Sequence, residues 1–179
     1  MQDYLALIRG INVGGKSLIK MADLREELAS VGLKEIRTYI QSGNVLFKSN
    51  SKNSLKLGTL IKRTLLDRFN VDAGVAVFTK PEWEDIIAAA PKWWGVNKEW
   101  KHNLMVMTAP GELEEVLQAI GELKPGIEDC QPGNRVFYQG MSLQFLGRTT
   151  TGKLAAKPIY KQLTIRNYNT ATKLLALFK

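Results

Sequence analysis

Cysteine and histidine occur once each, as Cys130 and His102, and no aspartate or glutamate follows Asp129 in this chain of 179 residues. One cysteine excludes an internal disulfide and fits a reducing compartment. One histidine excludes a two-histidine metal site within one chain, and no metal is expected. His102 reads as a structural residue at a strand edge, and Cys130 as a buried, inert thiol on a hairpin strand. Long apolar runs are missing too. The first, residues 4–8, stops at Arg9, far short of a signal-peptide core or of the roughly 20 residues a bilayer requires. The sequence therefore predicts a cytoplasmic protein with no membrane partner. The carboxylates lie mostly among lysines on helices, and no paired-carboxylate or nucleophile–base arrangement stands out.

What is present is positive charge, unevenly placed. Lys and Arg number 25 against 17 Asp and Glu, a net charge of +8. Arg135, Arg148, Lys153, Lys157, Lys161, Arg166, Lys173 and Lys179 all follow Asp129, so this last stretch carries the whole excess. Such asymmetry points to an anionic partner, nucleic acid or a phosphorylated small molecule. The plainer alternative is a solvated basic face that serves solubility.

Periodicity predicts a strand over 4–9, a glycine-rich loop over 10–17 and a helix over 20–31. Alternation over 35–41, turn chemistry at Ser42-Gly43-Asn44 and a return over 45–48 predict a β-hairpin. A helix over 55–69 and a strand over 74–79 complete a β-α-β-β-α-β order, the split pattern of ferredoxin-like folds. Thr79 and Glu82 have capping-box spacing for a further helix ending by Pro91. Trp93, Trp94 and Trp100 mark residues 91–100 as a junction, read as packing between the halves. Then come a strand over 103–108, a helix over 111–121, a hairpin about Pro132-Gly133-Asn134, a strand over 142–146, a short helix over 158–163 and an amphipathic helix over 167–178. Residues 22–47 and 111–137 repeat one helix–strand–turn plan, which argues for duplication. The expected architecture is α+β: two ferredoxin-like split β-α-β units packed into one compact protein. They cover residues 1–90 and 101–179, the second ending in basic helices.

Gly10-Ile11-Asn12-Val13-Gly14-Gly15-Lys16-Ser17 satisfies GxxxxGK(S/T), the nucleotide phosphate-loop pattern, between a strand and a helix. Glycines would let backbone N–H groups face a phosphate, Lys16 would add a charge and Ser17 could hold magnesium. The fold that uses this loop has a parallel sheet, whereas here the second strand turns straight back. Two readings stay open: a plain strand-to-helix turn, or a generic anion pocket. Arg9, Asn12, Gly14, Gly15 and Lys16 are its candidate ligands, with Gln41 and Asn44 from the next turn. In the last third, the hydroxyl-rich loop Arg148-Thr149-Thr150-Thr151-Gly152-Lys153 and the helix start at Arg166-Asn167 offer further anion ligands. Arg148, Lys153 and Arg166 are favoured there, whereas Asn167 and Thr170 suit capping.

Arg9-Gly10-Ile11-Asn12-Val13-Gly14-Gly15-Lys16, Thr38-Tyr39-Ile40-Gln41-Ser42-Gly43-Asn44-Val45 and Thr164-Ile165-Arg166-Asn167-Tyr168-Asn169-Thr170, in that order, resemble the bacterial domain-of-unknown-function family numbered 1697. The resemblance spans nearly the whole chain. It implies a compact α/β protein with a duplicated ferredoxin-like arrangement, and no established activity, cofactor or catalytic residue. Tyr168 stands where the family more often has tryptophan. Ser17 stands where it often has asparagine, which weakens the magnesium reading. Three functions follow as expectations: a binding module for nucleic acid or a phosphorylated ligand, an enzyme acting on a phosphorylated or nucleotide substrate, and an interaction module docking through residues 91–100. Oligomeric state is open.

Overall fold

The computed structural model describes residues 1–15, 17–108 and 113–178. It divides into two compact units, Met1–Glu84 with Leu174–Lys179, and Asp85–Lys173.

The first unit runs β1 (Gln2–Ile8), α1 (Met21–Ser30), β2 (Lys34–Tyr39), β3 (Asn44–Ser49), α2 (Ser54–Phe69) and β4 (Val75–Thr79). Its sheet has the order β2-β3-β1-β4, with every pairing antiparallel. Tyr4 to Ile8 are all fully buried, so β1 reads as a continuous apolar run because both faces of the sheet are covered. On one face Tyr4, Ala6, Ile8, Val45, Phe47 and Val77 pack against Leu24 and Leu28 of α1 and Leu57, Ile61 and Leu65 of α2. Asn53 caps α2 by accepting the Lys56 N–H at 2.9 Å, and Asn70 ends it in the left-handed conformation. The capping box forms at Thr79 and Glu82: the Glu82 carboxylate accepts the Thr79 N–H at 2.6 Å and opens α3 (Lys80–Ala88).

The second unit repeats the sheet. Its elements are β5 (Trp100–Met107), α4 (described over Leu113–Ile120), β6 (Glu128–Gly133), β7 (Val136–Ser142) and β8 (Leu163–Asn167), in the antiparallel order β6-β7-β5-β8. The helix start expected at Gly111 lies outside the described residues. Two four-stranded antiparallel sheets, each with strands joined in the same spatial order, make the duplicated mixed α/β arrangement plain.

Three local expectations are corrected. The strand expected over 142–146 is the 3-10 segment Leu143–Arg148, because Leu143 and Leu146 stay exposed and have no sheet face to fill. The strand beside β5 is instead β8, which lies between the two expected helices over 158–163 and 167–178 and takes a residue from each. Leu163 and Ile165 face the apolar core, but Thr164 and Arg166 are buried on the other face, so polar residues inside the sheet masked the strand. The second hairpin turns at Asn134-Arg135, one residue later than expected, with Arg135 at φ 62° and Gly133 already paired with Val136. Where the first unit has the 16-residue α2, the second has the run 143–162, broken into 3-10 turns and the one-turn α5 (Thr150–Lys153). Gly147, Gly152 and Pro158 interrupt any longer helix there. The last helix, α6, spans Tyr168–Leu177.

Trp93 and Trp94 make ring contacts within the second unit. Trp94 donates its indole N–H to the Asn103 carbonyl at 2.9 Å and meets Tyr138 and Tyr168 edge-on at 5.4 and 4.8 Å. Gly95, at φ +86°, lies under the Tyr168 ring, where an added Cβ would come within 2.2 Å of it. Gly95→Ala combines a strained backbone with overpacking. It should destabilise the protein by about 2–3 kcal/mol, read as a lower thermal midpoint with unchanged secondary structure by circular dichroism.

Candidate functional site

The sequence-predicted ligands lie in the loops of the first unit, on the run 143–162 of the second, and on β8. In the first unit, Arg9, Asn12, Gly14 and Gly15 leave the end of β1, while Gln41 and Asn44 belong to the β2–β3 loop. The two loops are joined. The Asn12 side chain donates to the carbonyls of Ile19 at 2.9 Å and Gln41 at 3.0 Å, and accepts the Ile19 N–H at 2.7 Å. Asn12 sits at φ 56°, a conformation that asparagine tolerates. Asn44 is fully buried and donates to the Tyr39 carbonyl and the Ser42 hydroxyl, both at 3.0 Å. Gly43, at φ +75°, accepts the Ile8 N–H at 2.8 Å, and a Cβ there would lie 2.8 Å from the Ile8 carbonyl oxygen. Asn12 and Asn44 thus brace the loops, while Gly14 and Gly15 are exposed and Arg9 is half-buried at their base. Lys16 lies outside the described residues. The sheet is antiparallel, and α1 begins at Met21 after Lys20, not directly after Ser17. The chain therefore lacks the parallel strand-to-helix frame in which GxxxxGK(S/T) holds a nucleotide.

In the second unit, Arg148 and Lys153 are exposed on the run 143–162, and the interior of that run is organised by a residue the sequence did not single out. Glu128, at the start of β6, is 2 % exposed. Its Oε1 accepts the N–H groups of Thr150 at 2.8 Å and Lys124 at 3.1 Å, and its Oε2 accepts the N–H and the hydroxyl of Thr151 at 2.9 and 2.8 Å. Burial by itself would raise this carboxyl, but the four donors outweigh it and hold the group below its ordinary 4.5. Thr149 caps the same turn, its hydroxyl accepting the Gly152 N–H at 3.2 Å. The Thr150 and Thr151 N–H groups of this hydroxyl-rich loop are therefore taken by the protein's own carboxylate. The one cue in the sequence is position: Glu128 and Asp129 are the last two acids before the acid-free stretch.

The run is pinned from outside as well. The Lys124 ammonium donates to the Arg148 carbonyl at 2.5 Å, the Thr150 hydroxyl to the Glu122 carbonyl at 3.1 Å, and the Lys157 ammonium to the Ala119 carbonyl at the end of α4. Leu154, Ile159 and Tyr160 pack beneath it against Val116 and Ile120. Lys124, Arg148, Lys153, Lys157 and Lys161 are all exposed, and none makes an ion pair among the described residues. Arg148 lies over the Phe145 ring, 5.7 Å from its centroid.

Arg166 and Asn167 stand apart on β8. Arg166 is 6 % exposed, donates to Thr164 Oγ1 and the Ile165 carbonyl at 2.8 Å, and is lowered to about 10 by burial, so it stays charged. Asn167 accepts the Thr170 N–H at 2.8 Å and caps α6. His102 is buried with Nε2 against the Asn97 carbonyl at 2.9 Å, so Nε2 is the donor. Burial, with Glu128 and Asp129 adding to it, pushes the Cys130 thiol up to about 12. It therefore stays a thiol at neutral pH. No helix among the described residues is long and apolar enough to cross a membrane.

A family model described as "Protein of unknown function (DUF1697)" matches residues 1–138. Among solved structures, the conserved bacterial protein SP0830 from Streptococcus pneumoniae is similar at 28% identity and a TM-score of 0.87. The match covers 99% of each chain. No curated protein matches the chain.

Two outcomes are expected. Asn12→Ala removes the brace between two loops and should destabilise by about 1–3 kcal/mol, with faster hydrogen exchange at the Ile19 amide. Glu128→Gln should destabilise by about 2 kcal/mol near neutral pH, since hydrogen bonds to an ionised group are lost. Because the folded carboxyl is lowered, its contribution is complete above the unfolded value of about 4.3 and fades as pH falls through the folded value. Denaturant titrations of both proteins should therefore differ at about pH 7 and converge once acid has protonated the folded carboxyl.

Proposed function

The chain belongs to this family of unknown function, and from that premise we propose that it is a binding module for an extended polyanion, nucleic acid foremost, held by the cations of residues 124–161. The supporting observation is the set of five exposed cations, Lys124, Arg148, Lys153, Lys157 and Lys161, that have no carboxylate partner among the described residues. They are carried on or against one run that is tied down by hydrogen bonds, so their spacing is held by the fold rather than by the side chains alone.

The same geometry favours a chain of phosphates over a single phosphate. Small phosphorylated ligands are gripped by converging backbone N–H groups. Here the Thr150 and Thr151 N–H groups are already taken by Glu128. What is left for a ligand is side-chain charge distributed along the surface, which suits phosphodiesters contacted one by one. Phe145 is half-buried and has the Arg148 guanidinium over its ring, so it offers no open platform for a base. Binding of this kind follows charge and carries little sequence preference.

The test is fluorescence anisotropy with a labelled single-stranded oligonucleotide across a salt series. With about five phosphates contacted, log K should fall against log salt with a slope near −3.5. Arg148→Ala and Lys153→Ala should each weaken binding of every sequence alike and flatten the slope by about 0.7. Absence of binding at low salt would sink the reading.

A further inference from the structure

We propose that Glu128 is the positioning residue of this cationic face: its carboxylate, acting as a built-in anion in the amide notch at Thr150 and Thr151, sets where Arg148 and Lys153 stand. The inference rests on the polyanion reading above and adds to it the residue that shapes the site.

The geometry is specific. Each oxygen of one buried carboxylate takes two hydrogen bonds, and all four donors come from residues beside the cations. Thr150 and Thr151 lie between Arg148 and Lys153, and the Lys124 amide belongs to a third cation of the face. The carboxylate thus ties the edge strand β6 to the backbone at Lys124 and at Thr150-Thr151, between Arg148 and Lys153. The arrangement holds itself together. A buried carboxylate without donors is strongly disfavoured, and so are buried N–H groups without an acceptor. Thr149, fully buried, completes the turn by donating its hydroxyl to the Leu146 carbonyl at 2.9 Å.

Charge and position make opposite predictions here. A carboxylate beneath a cationic surface weakens the attraction of that surface for a polyanion, so on charge alone its removal should tighten binding. If its role is to hold Arg148 and Lys153 in register, its removal should loosen binding instead. Asp129 supplies the control, since it is the next residue, carries the same charge and is exposed.

Glu128→Gln and Asp129→Asn make the same change in net charge. Both are compared with the wild type by oligonucleotide anisotropy at temperatures where circular dichroism shows all three folded. Asp129→Asn should bind slightly tighter with the same salt slope. Glu128→Gln should bind about fivefold weaker, with a slope flatter by about 1.4 as two phosphate contacts lose their register. Thr151→Val removes one donor without touching charge and should weaken binding in the same direction, which keeps the test open if Glu128→Gln folds poorly. Tighter binding by Glu128→Gln with an unchanged slope, or unaltered binding by Thr151→Val, would overturn the assignment while leaving the polyanion reading in place. A wild type that binds no oligonucleotide would overturn both.

Discussion

A carboxylate that is 2 % exposed must be matched by donors, and Glu128 is matched four times over. That constraint shapes the second unit. The run 143–162 has too many glycines and threonines, and a proline, to fold back on itself as one long helix. A long helix would supply its own backbone hydrogen bonds and a continuous apolar stripe. The broken run instead satisfies its N–H groups on a side chain of β6 and rests on a smaller set of apolar contacts from Leu154, Ile159 and Tyr160. Buried ion–amide contacts are more demanding of geometry than apolar ones, which is why a segment with so little regular structure has a defined path.

The two units show what duplication allows. Both sheets have one spatial strand order and antiparallel pairing throughout. A prominent difference is the crossing before the last strand. In the first unit it is α2, whose buried Leu57, Ile61 and Leu65 face the sheet. In the second the same step has been opened into short turns, and the exposed cations Arg148, Lys153, Lys157 and Lys161 are found there. Two lysines do structural work as well as carrying charge, since their ammonium groups hold the Arg148 and Ala119 carbonyls. Half of the chain's eight surplus cations thus sit on the run that replaces α2.

Legibility followed the kind of force involved. Residues 4–8 read as a buried strand because unbroken apolar side chains suit a strand covered on both faces. The stripe over 55–69 read as a helix because its period matches one face of α2. Thr79 and Glu82 read as a cap because the capping box is local. β8 escaped because the buried face opposite Leu163 and Ile165 carries the polar Thr164 and Arg166, and Leu143–Arg148 was misread because apolar spacing alone does not reveal exposure. At the site, Arg148 and Lys153 could be named from charge. Glu128 could not, because three of its four donors come from Thr150 and Thr151, 22 and 23 residues away.

By itself, then, the sequence determined the class of elements, the repeated helix–strand–turn plan and the placement of all excess positive charge after Asp129, since propensity, periodicity and composition act over a few residues. Only tertiary structure decided which loops are braced, which polar groups are buried and which anion fills the notch at Thr150 and Thr151. Those outcomes depend on backbone groups far apart in the chain meeting at hydrogen-bond distance, and no local pattern encodes such a meeting.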